Sequence, residues 1–289
     1  MIHVNQLAYQ YPDTHTLTLK SLSFDIAAGE IFGFLGPSGS GKSTTQKILY
    51  KLLQGYRGQV QINGKELSHW DKSFYHHIGV GFELPNHYLK LTARENLRFF
   101  SSFYDRQYGS ISELLALVGL EPDADKRVSD FSKGMKMRLN FIRSFMHDPA
   151  ILFLDEPASG LDPVNARMIK NIILKLKDEG KTIFVTTHSM HDADALCDRV
   201  ALVMDGEIRA LDTPNALKLR YGQRKVRVEV EGPSTHEFSL DQLGHNEEFL
   251  SVLRTYQVKT IHSEEATLED VFIRVTGESL YREPPLEAL

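Results

Sequence analysis

The chain has 289 residues, of which 25% are charged and 42% hydrophobic, with a formal net charge of −5 and one cysteine, Cys197. That mixture excludes a disordered, collagen-like or disulfide-framework protein, and the acidic balance argues against nucleic acid as a partner. The start, MIHVNQLAYQYPD, lacks the basic and apolar regions of a signal peptide, and no apolar run approaches the roughly 18 residues of a membrane span, so the chain reads as cytoplasmic.

In chain order, VNQLAYQY and LTLKSLSFDI alternate as strands do, around the turn-prone Pro12-Asp13. EIFGFL is an apolar strand running into the Gly/Ser-rich GPSGSGKS, and STTQKILYKLL follows with Ile48, Leu49, Leu52 and Leu53 at helical spacing. Asn63-Gly64 marks a hairpin. From about Leu91 to Met146 the pattern is helical, with Leu139, Ile142 and Met146 facing inward on the last helix. AILFLDE is a continuous apolar run, as expected of a strand covered on both faces. A helix ending at Gly180, the strand KTIFVTT, a short helix and a hairpin at Asp205-Gly206 complete this part. After about Leu219 the character changes to short strands and helices, the last begun by a capping box from Thr267 to Asp270.

Three segments carry chemistry. Gly36-Pro37-Ser38-Gly39-Ser40-Gly41-Lys42-Ser43-Thr44 matches G-x-x-x-x-G-K-[ST] between a strand and a helix. Such a loop lets backbone N–H groups wrap a phosphate chain; Lys42 is placed to reach the β- and γ-phosphates and the Ser43 hydroxyl to ligate Mg²⁺. Ile151-Leu152-Phe153-Leu154-Asp155-Glu156 sets two acids at the end of a buried strand, where open sheets bind ligands. Asp155 suits Mg²⁺, and Glu156 suits the base that polarises an attacking water. The third segment is Phe131-Ser132-Lys133-Gly134-Met135, ahead of the acidic strand end.

With that segment in place, residues 1–220 resemble the ATP-binding subunits of ABC transporters. Ser132 and Gly134 match their L-S-G-G-Q signature, while Phe131, Lys133 and Met135 depart toward an S-K-G-M form found among export-type systems. The resemblance implies an α/β P-loop fold: a mainly parallel core sheet, an N-terminal antiparallel β-subdomain, a helical subdomain over about 88–147, and a small C-terminal α+β lobe over 220–289 beside an ATPase domain of 1–219. It implies that Asp162, after Ser159-Gly160-Leu161, lies near nucleotide, that His188 contacts the γ-phosphate and positions Glu156, and that Tyr11 stacks on adenine, with Tyr9 the competitor. Glu83 stands where the family has Gln; the resemblance makes it a Mg²⁺ ligand that couples the site to a membrane partner, the other reading being a solvated loop acid.

The resemblance also implies ATP and Mg²⁺, and a second copy of the chain or a related subunit docked head to tail, so that Ser132 and Gly134 of one complete the site of the other. A separate transmembrane permease would hold the pair at the cytoplasmic face of the membrane, with the helical subdomain docked on it. TLEDVF and the S-K-G-M form are similar to exporters of drugs, lipids or polysaccharides, and ELPNHYLKLTARENLRFF to subunits for fluoroquinolone export. The alternative is a soluble ABC-type ATPase with a non-membrane partner; the inserted coiled coil of the repair type and the doubled unit of the translation type are not seen. The histidines are scattered, without metal-ligand spacing.

Overall fold

The structure is a computed structural model that describes residues 1–222, 225–232, 234–264 and 266–277. It divides into two compact units, Met1–Leu211 and the unit that begins at Asp212.

The first unit opens with β1 (Ile2–Tyr9) and β2 (Leu19–Ile26), whose alternating burial sends Ile2, Val4, Leu7 and Leu22, Phe24, Ile26 to one side. β3 (Ile31–Leu35) is buried throughout and leads through the glycine-rich loop into α1 (Lys42–Leu49). β4 (Arg57–Ile62) and β5 (Lys65–Glu66) form the hairpin at Asn63-Gly64, both residues having positive φ (55° and 72°), as a tight primed turn requires. α2 (Phe74–His77) and β6 (Ile78–Gly81) precede the helical segment of α3 (Ala93–Ser101), α4 (Ile111–Leu117) and α5 (Lys133–Phe145). Then come β7 (Ile151–Asp155), α6 (Pro163–Asp178), β8 (Thr182–Thr187), α7 (Met190–Leu196), β9 (Arg199–Met204) and β10 (Glu207–Asp212).

Two sheets result. The antiparallel one has the order β2-β1-β4-β5, and the central one the order β10-β9-β3-β8-β7-β6, with parallel pairing from β9 through β6. Phe24 of the first sheet meets Phe32 and Phe34 of the second at ring separations of 5.5 Å, and Phe184 lies 5.5 Å from Phe34. This aromatic layer joins the sheets. Behind it, Gly33 lets Cys197 come close: a Cβ at Gly33 would lie 2.7 Å from Cys197 Sγ.

The helices are capped locally. Thr92 with Glu95 and Ser110 with Glu113 form complete capping boxes on α3 and α4, and Ser132 caps α5 through Met135 N–H. Leu139, Ile142 and Met146 are buried, as their spacing predicts. α1 departs from its sequence pattern. It stops at Leu49, because Lys51 turns the chain with a φ of 63° and its ammonium donates to the Trp70 carbonyl. Leu52 is therefore 61% exposed and not on a helical core face.

The second unit holds α8 (Pro214–Tyr221), β11 (Lys225–Val230), β12 (Thr235–Ser239), α9 (Glu247–Thr255), β13 (Val258–Glu264) and α10 (Leu268–Thr276). Its antiparallel sheet has the order β12-β11-β13, with Val226, Val228 and Val230 packed beside Phe238, Phe249 and Val252. The Thr267–Asp270 capping box starts α10. Helix α8 packs with α10, and Arg274 Nη1 donates to the Tyr221 carbonyl at 3.0 Å. The boundary therefore falls after Leu211 and not after 219, because α8 belongs with the lobe it introduces. Of the lobe expected over 220–289, positions 223, 224, 233, 265 and 278–289 lie outside the described residues.

Candidate nucleotide site

Parallel pairing fixes where the motifs meet. β8 lies between β3 and β7, with Leu35 level with Thr187 and Asp155 level with Thr186. The glycine-rich loop leaves the end of β3, the two acids the end of β7, and His188 the end of β8. Three segments remote in sequence converge at the carboxyl edge of one sheet.

The loop is shaped by glycines that nothing else can replace. A Cβ at Gly36 would lie 2.1 Å from the Val203 carbonyl oxygen, and Gly41, which begins α1, has a φ of 105°. Lys42 is buried, and its Nζ donates to the carbonyls of Gly36 (2.7 Å) and Pro37 (2.9 Å), two of its three donors. Burial lowers the Lys42 pKa from the ordinary lysine value, while Glu156, Asp155 and Glu83 pull the other way. Ser43 Oγ lies 3.5 Å from Asp155 Oδ2, and Thr186 Oγ1 donates to Asp155 Oδ1. Burial holds the Asp155 pKa above the usual carboxylate range, and the charge of Glu156 adds to this, against the Thr186 hydrogen bond and Lys42.

Glu156 is buried, with a φ of 48°, a left-handed turn that a non-glycine residue rarely takes. Its Oε1 accepts from His188 N at 2.8 Å and lies 2.7 Å from His188 Nδ1; its Oε2 accepts from Thr187 Oγ1 at 3.0 Å. For the ring contact to be a hydrogen bond, Nδ1 must carry the proton. The His188 side chain is otherwise half exposed.

Tyr9 is buried in the core, whereas Tyr11 lies partly exposed, edge-on to Tyr9 at 5.1 Å, with its hydroxyl 3.2 Å from Thr44 Oγ1. Glu83 is exposed on the loop after β6. Ser132 and Gly134 begin α5, and Asp162 caps α6 by accepting from Val164 N and Asn165 N, both at 3.1 Å. No hydrogen bond among the described residues joins these three to the loop. The α5 start meets the 159–162 segment instead, since a Cβ at Gly134 would lie 3.5 Å from Leu161 Cδ2.

The donors suit a hard cation. A serine hydroxyl beside a carboxylate is an oxygen pair of the kind that holds Mg²⁺ together with substrate phosphates. Among the described residues there is no cluster of three or more His, Cys, Asp or Glu that would form an all-protein cage. Sequence reading passed over Thr186 and Thr187; the signal was two polar residues ending an apolar strand next to His188. It also passed over a groove of about 310 Å³ between α1 and the helical segment, lined by Leu52, Tyr75, Phe82, Phe100, Tyr104 and Arg143.

A cassette of this topology, with these three motifs at one sheet edge, defines an ATP-binding subunit of the ABC transporter type, and the chain belongs to that family. Residues 19–159 match the family model for ABC transporters, and residues 224–265 match that for the fluoroquinolone efflux ABC transporter C-terminal domain. The chain is 54% identical over 284 residues to a fluoroquinolones export ATP-binding protein of Mycobacterium tuberculosis, covering 97% of this chain and 94% of that one. It is 34% identical over 283 residues to the Nod factor export ATP-binding protein I of Neorhizobium galegae, covering 91% and 81%. Among solved structures, an ATP-binding subunit of an ABC transporter matches with a TM-score of 0.69 at 28% identity, covering 77% of this chain and 93% of that one. A dimeric ATP-binding cassette in a post-hydrolysis state with ADP and Pi matches with a TM-score of 0.67 at 27% identity, covering 74% and 98%. The chain is thus an ATP-binding and ATP-hydrolysing transporter subunit, and the reading as a soluble ATPase with a non-membrane partner is set aside. No helix among the described residues is long and apolar enough to cross a membrane.

Proposed function

We propose that this chain drives export of fluoroquinolone-like compounds through a separate permease, by closing and opening a head-to-tail pair of its own copies. One observation carries the ATP chemistry: Lys42, Ser43, Asp155, Glu156 and His188 stand together at one sheet edge. The cargo reading rests on the 54% identical relative and on the match of residues 224–265 to an efflux C-terminal domain.

In this reading the 36–44 loop holds the phosphate chain with its N–H groups, and Lys42 turns from its own carbonyls to the β- and γ-phosphates. Ser43 and Asp155 would hold Mg²⁺, with Glu83 as a further ligand from the loop after β6. Bound there, the ion would supply positive charge to offset that of the phosphates. Tyr11 stacks on adenine. Glu156 accepts the proton of the attacking water, and His188 orients Glu156 and contacts the γ-phosphate. Ser132 and Gly134 reach the nucleotide held by the other copy, with Asp162 fixing the adjoining segment. ATP favours the closed pair through these differential contacts, and hydrolysis removes the preference.

The permease contact is assigned to the groove lined by Leu52, Phe82, Phe100 and Arg143. An apolar, aromatic floor with a cation at its edge suits an amphipathic helix from a membrane protein. Held there, the chain works at the cytoplasmic face of the membrane.

The test is Glu156→Gln. The variant is expected to bind ATP, to hydrolyse it at least about 100-fold more slowly, and to accumulate as a dimer with ATP in light scattering. Hydrolysis at the normal rate removes Glu156 from the base role. Lys42→Ala is expected to lose ATP binding, measured by calorimetry. Co-expression with a candidate transmembrane permease is expected to raise resistance to fluoroquinolones only with the unaltered chain; equal resistance with Glu156→Gln overturns the export reading.

A further inference from the structure

Thr187 ends β8 and is 5% exposed. Its hydroxyl has one proton to give and two lone pairs. Ser189 N–H donates to Thr187 Oγ1 at 3.0 Å, which occupies a lone pair and turns the proton away from α7. Glu156 Oε2 lies 3.0 Å from the same oxygen. A β-branched residue in a strand has little freedom about χ1, so the hydroxyl is held in place by the sheet itself. Asp155 receives a matching hydrogen bond from Thr186, the preceding residue of β8. Two successive threonines on one strand thus serve two successive acids, one at the end of its parallel neighbour and one just past it.

We propose that Thr187 is a positioning residue for hydrolysis, which fixes the Glu156 carboxylate through Oε2 while His188 holds Oε1. This rests on the reading of Glu156 as the base. The need for such a clamp follows from the backbone. Glu156 sits just past the strand in a left-handed turn, where the sheet no longer dictates side-chain direction. Donors on both oxygens fix the plane of the carboxylate, and a base is effective only within hydrogen-bond reach of the proton it takes. Thr187 touches neither phosphate nor water in this role, and it acts through Glu156.

Steady-state ATP hydrolysis and ATP binding of the full chain test this with Thr187→Val, Thr187→Ser and Glu156→Gln, singly and combined. Thr187→Val keeps the shape and removes the hydroxyl. It is expected to lower kcat about tenfold, the loss of a hydrogen bond to a charged group, with KM for ATP unchanged to within about twofold. Thr187→Ser is expected to restore at least about half the rate. Removing the hydroxyl also frees Ser189 N–H, so the combined variant separates the two effects. If Thr187 acts through Glu156, adding Thr187→Val to Glu156→Gln lowers the residual rate no further. An equal tenfold loss in both backgrounds, or unchanged kcat in Thr187→Val, overturns the proposal. Should Thr187→Val not fold, Thr187→Ala is put through the same cycle. Normal hydrolysis by Glu156→Gln would instead sink the base reading, whatever Thr187 does.

Discussion

His87 and His188 each hold a ring nitrogen against an oxygen, and their surroundings give them different uses. His188 is half exposed and faces a carboxylate. His87 Nε2 lies 3.0 Å from the Lys136 carbonyl oxygen and therefore donates, which leaves Nδ1 buried with no partner among the described residues. Burial depresses the His87 pKa to about 4, against the pull of the Lys136 carbonyl and with a push from Arg143. The unfolded chain takes up this proton near pH 6.5, so the contribution of a neutral His87 is complete above that value. It is lost as the pH falls from about 6.5 through about 4, a swing of at most about 3 kcal/mol. The urea midpoint is expected to drop over that range, and His87→Gln is expected to flatten the drop. An unchanged slope in the variant would place the acid sensitivity elsewhere. The same scale shows what sequence conceals. The order of residues makes Tyr11 the candidate for adenine and Tyr9 its competitor without showing which ring is free; the fold sinks Tyr9 into the core and leaves Tyr11 partly exposed beside Thr44.

At the scale of elements, a buried side chain ties α3 to the Glu83 loop. Asn96 of α3 is 1% exposed; its Nδ2 donates to the Tyr88 carbonyl at 3.0 Å and to the Thr92 carbonyl at 2.9 Å, and its Oδ1 accepts from Tyr88 N at 3.0 Å. Asn96 thus engages both backbone groups of Tyr88, whose carbonyl also accepts from Leu91 N at 3.1 Å. Asn96→Leu fits the volume but strips these partners, and is expected to cost about 2–4 kcal/mol, read from the chemical-denaturation midpoint; a loss below about 1 kcal/mol would mean that water replaces the side chain. Strands and caps here were legible in the sequence because each depends on neighbours in the chain: alternation in β1 and β2, Asn63-Gly64, and Thr267 with Asp270. The early end of α1 was not, since the apolar spacing of Leu52 and Leu53 continues past a turn fixed by Lys51 and Trp70. Thr187 escaped for a related reason. A threonine ending a strand is ordinary until parallel pairing sets an acid beside it.

For the whole molecule, one end of the central sheet serves nucleotide while the loop after β6 leads to a groove of different character. Phe82, which opens that loop next to Glu83, lines the groove, and its carbonyl accepts from Asn140 of α5 at 2.7 Å. The Glu83 loop and the signature helix are therefore one mechanical piece. A charge on the groove rim should leave the ATP site alone. Leu52→Glu is expected to keep basal ATP hydrolysis within about twofold but to lose co-purification with the permease and drug resistance; retained resistance would move the docking surface elsewhere. The boundary after Leu211 was illegible because α8 looks, in sequence, like a last helix of the cassette, and only its packing with α10 assigns it to the lobe.

The contact between Gly33 and Cys197 has a practical side. This is the one cysteine of the chain, its sulfur sealed against a strand backbone and its thiol pushed far up in pKa by burial. A maleimide probe, which needs thiolate, therefore finds almost nothing to modify in the native fold. A new cysteine at exposed Leu52 or Val164 would take a fluorophore or spin label alone, without first engineering a cysteine-free background. The separation between two labelled copies could then be followed through a catalytic cycle in the otherwise unaltered chain.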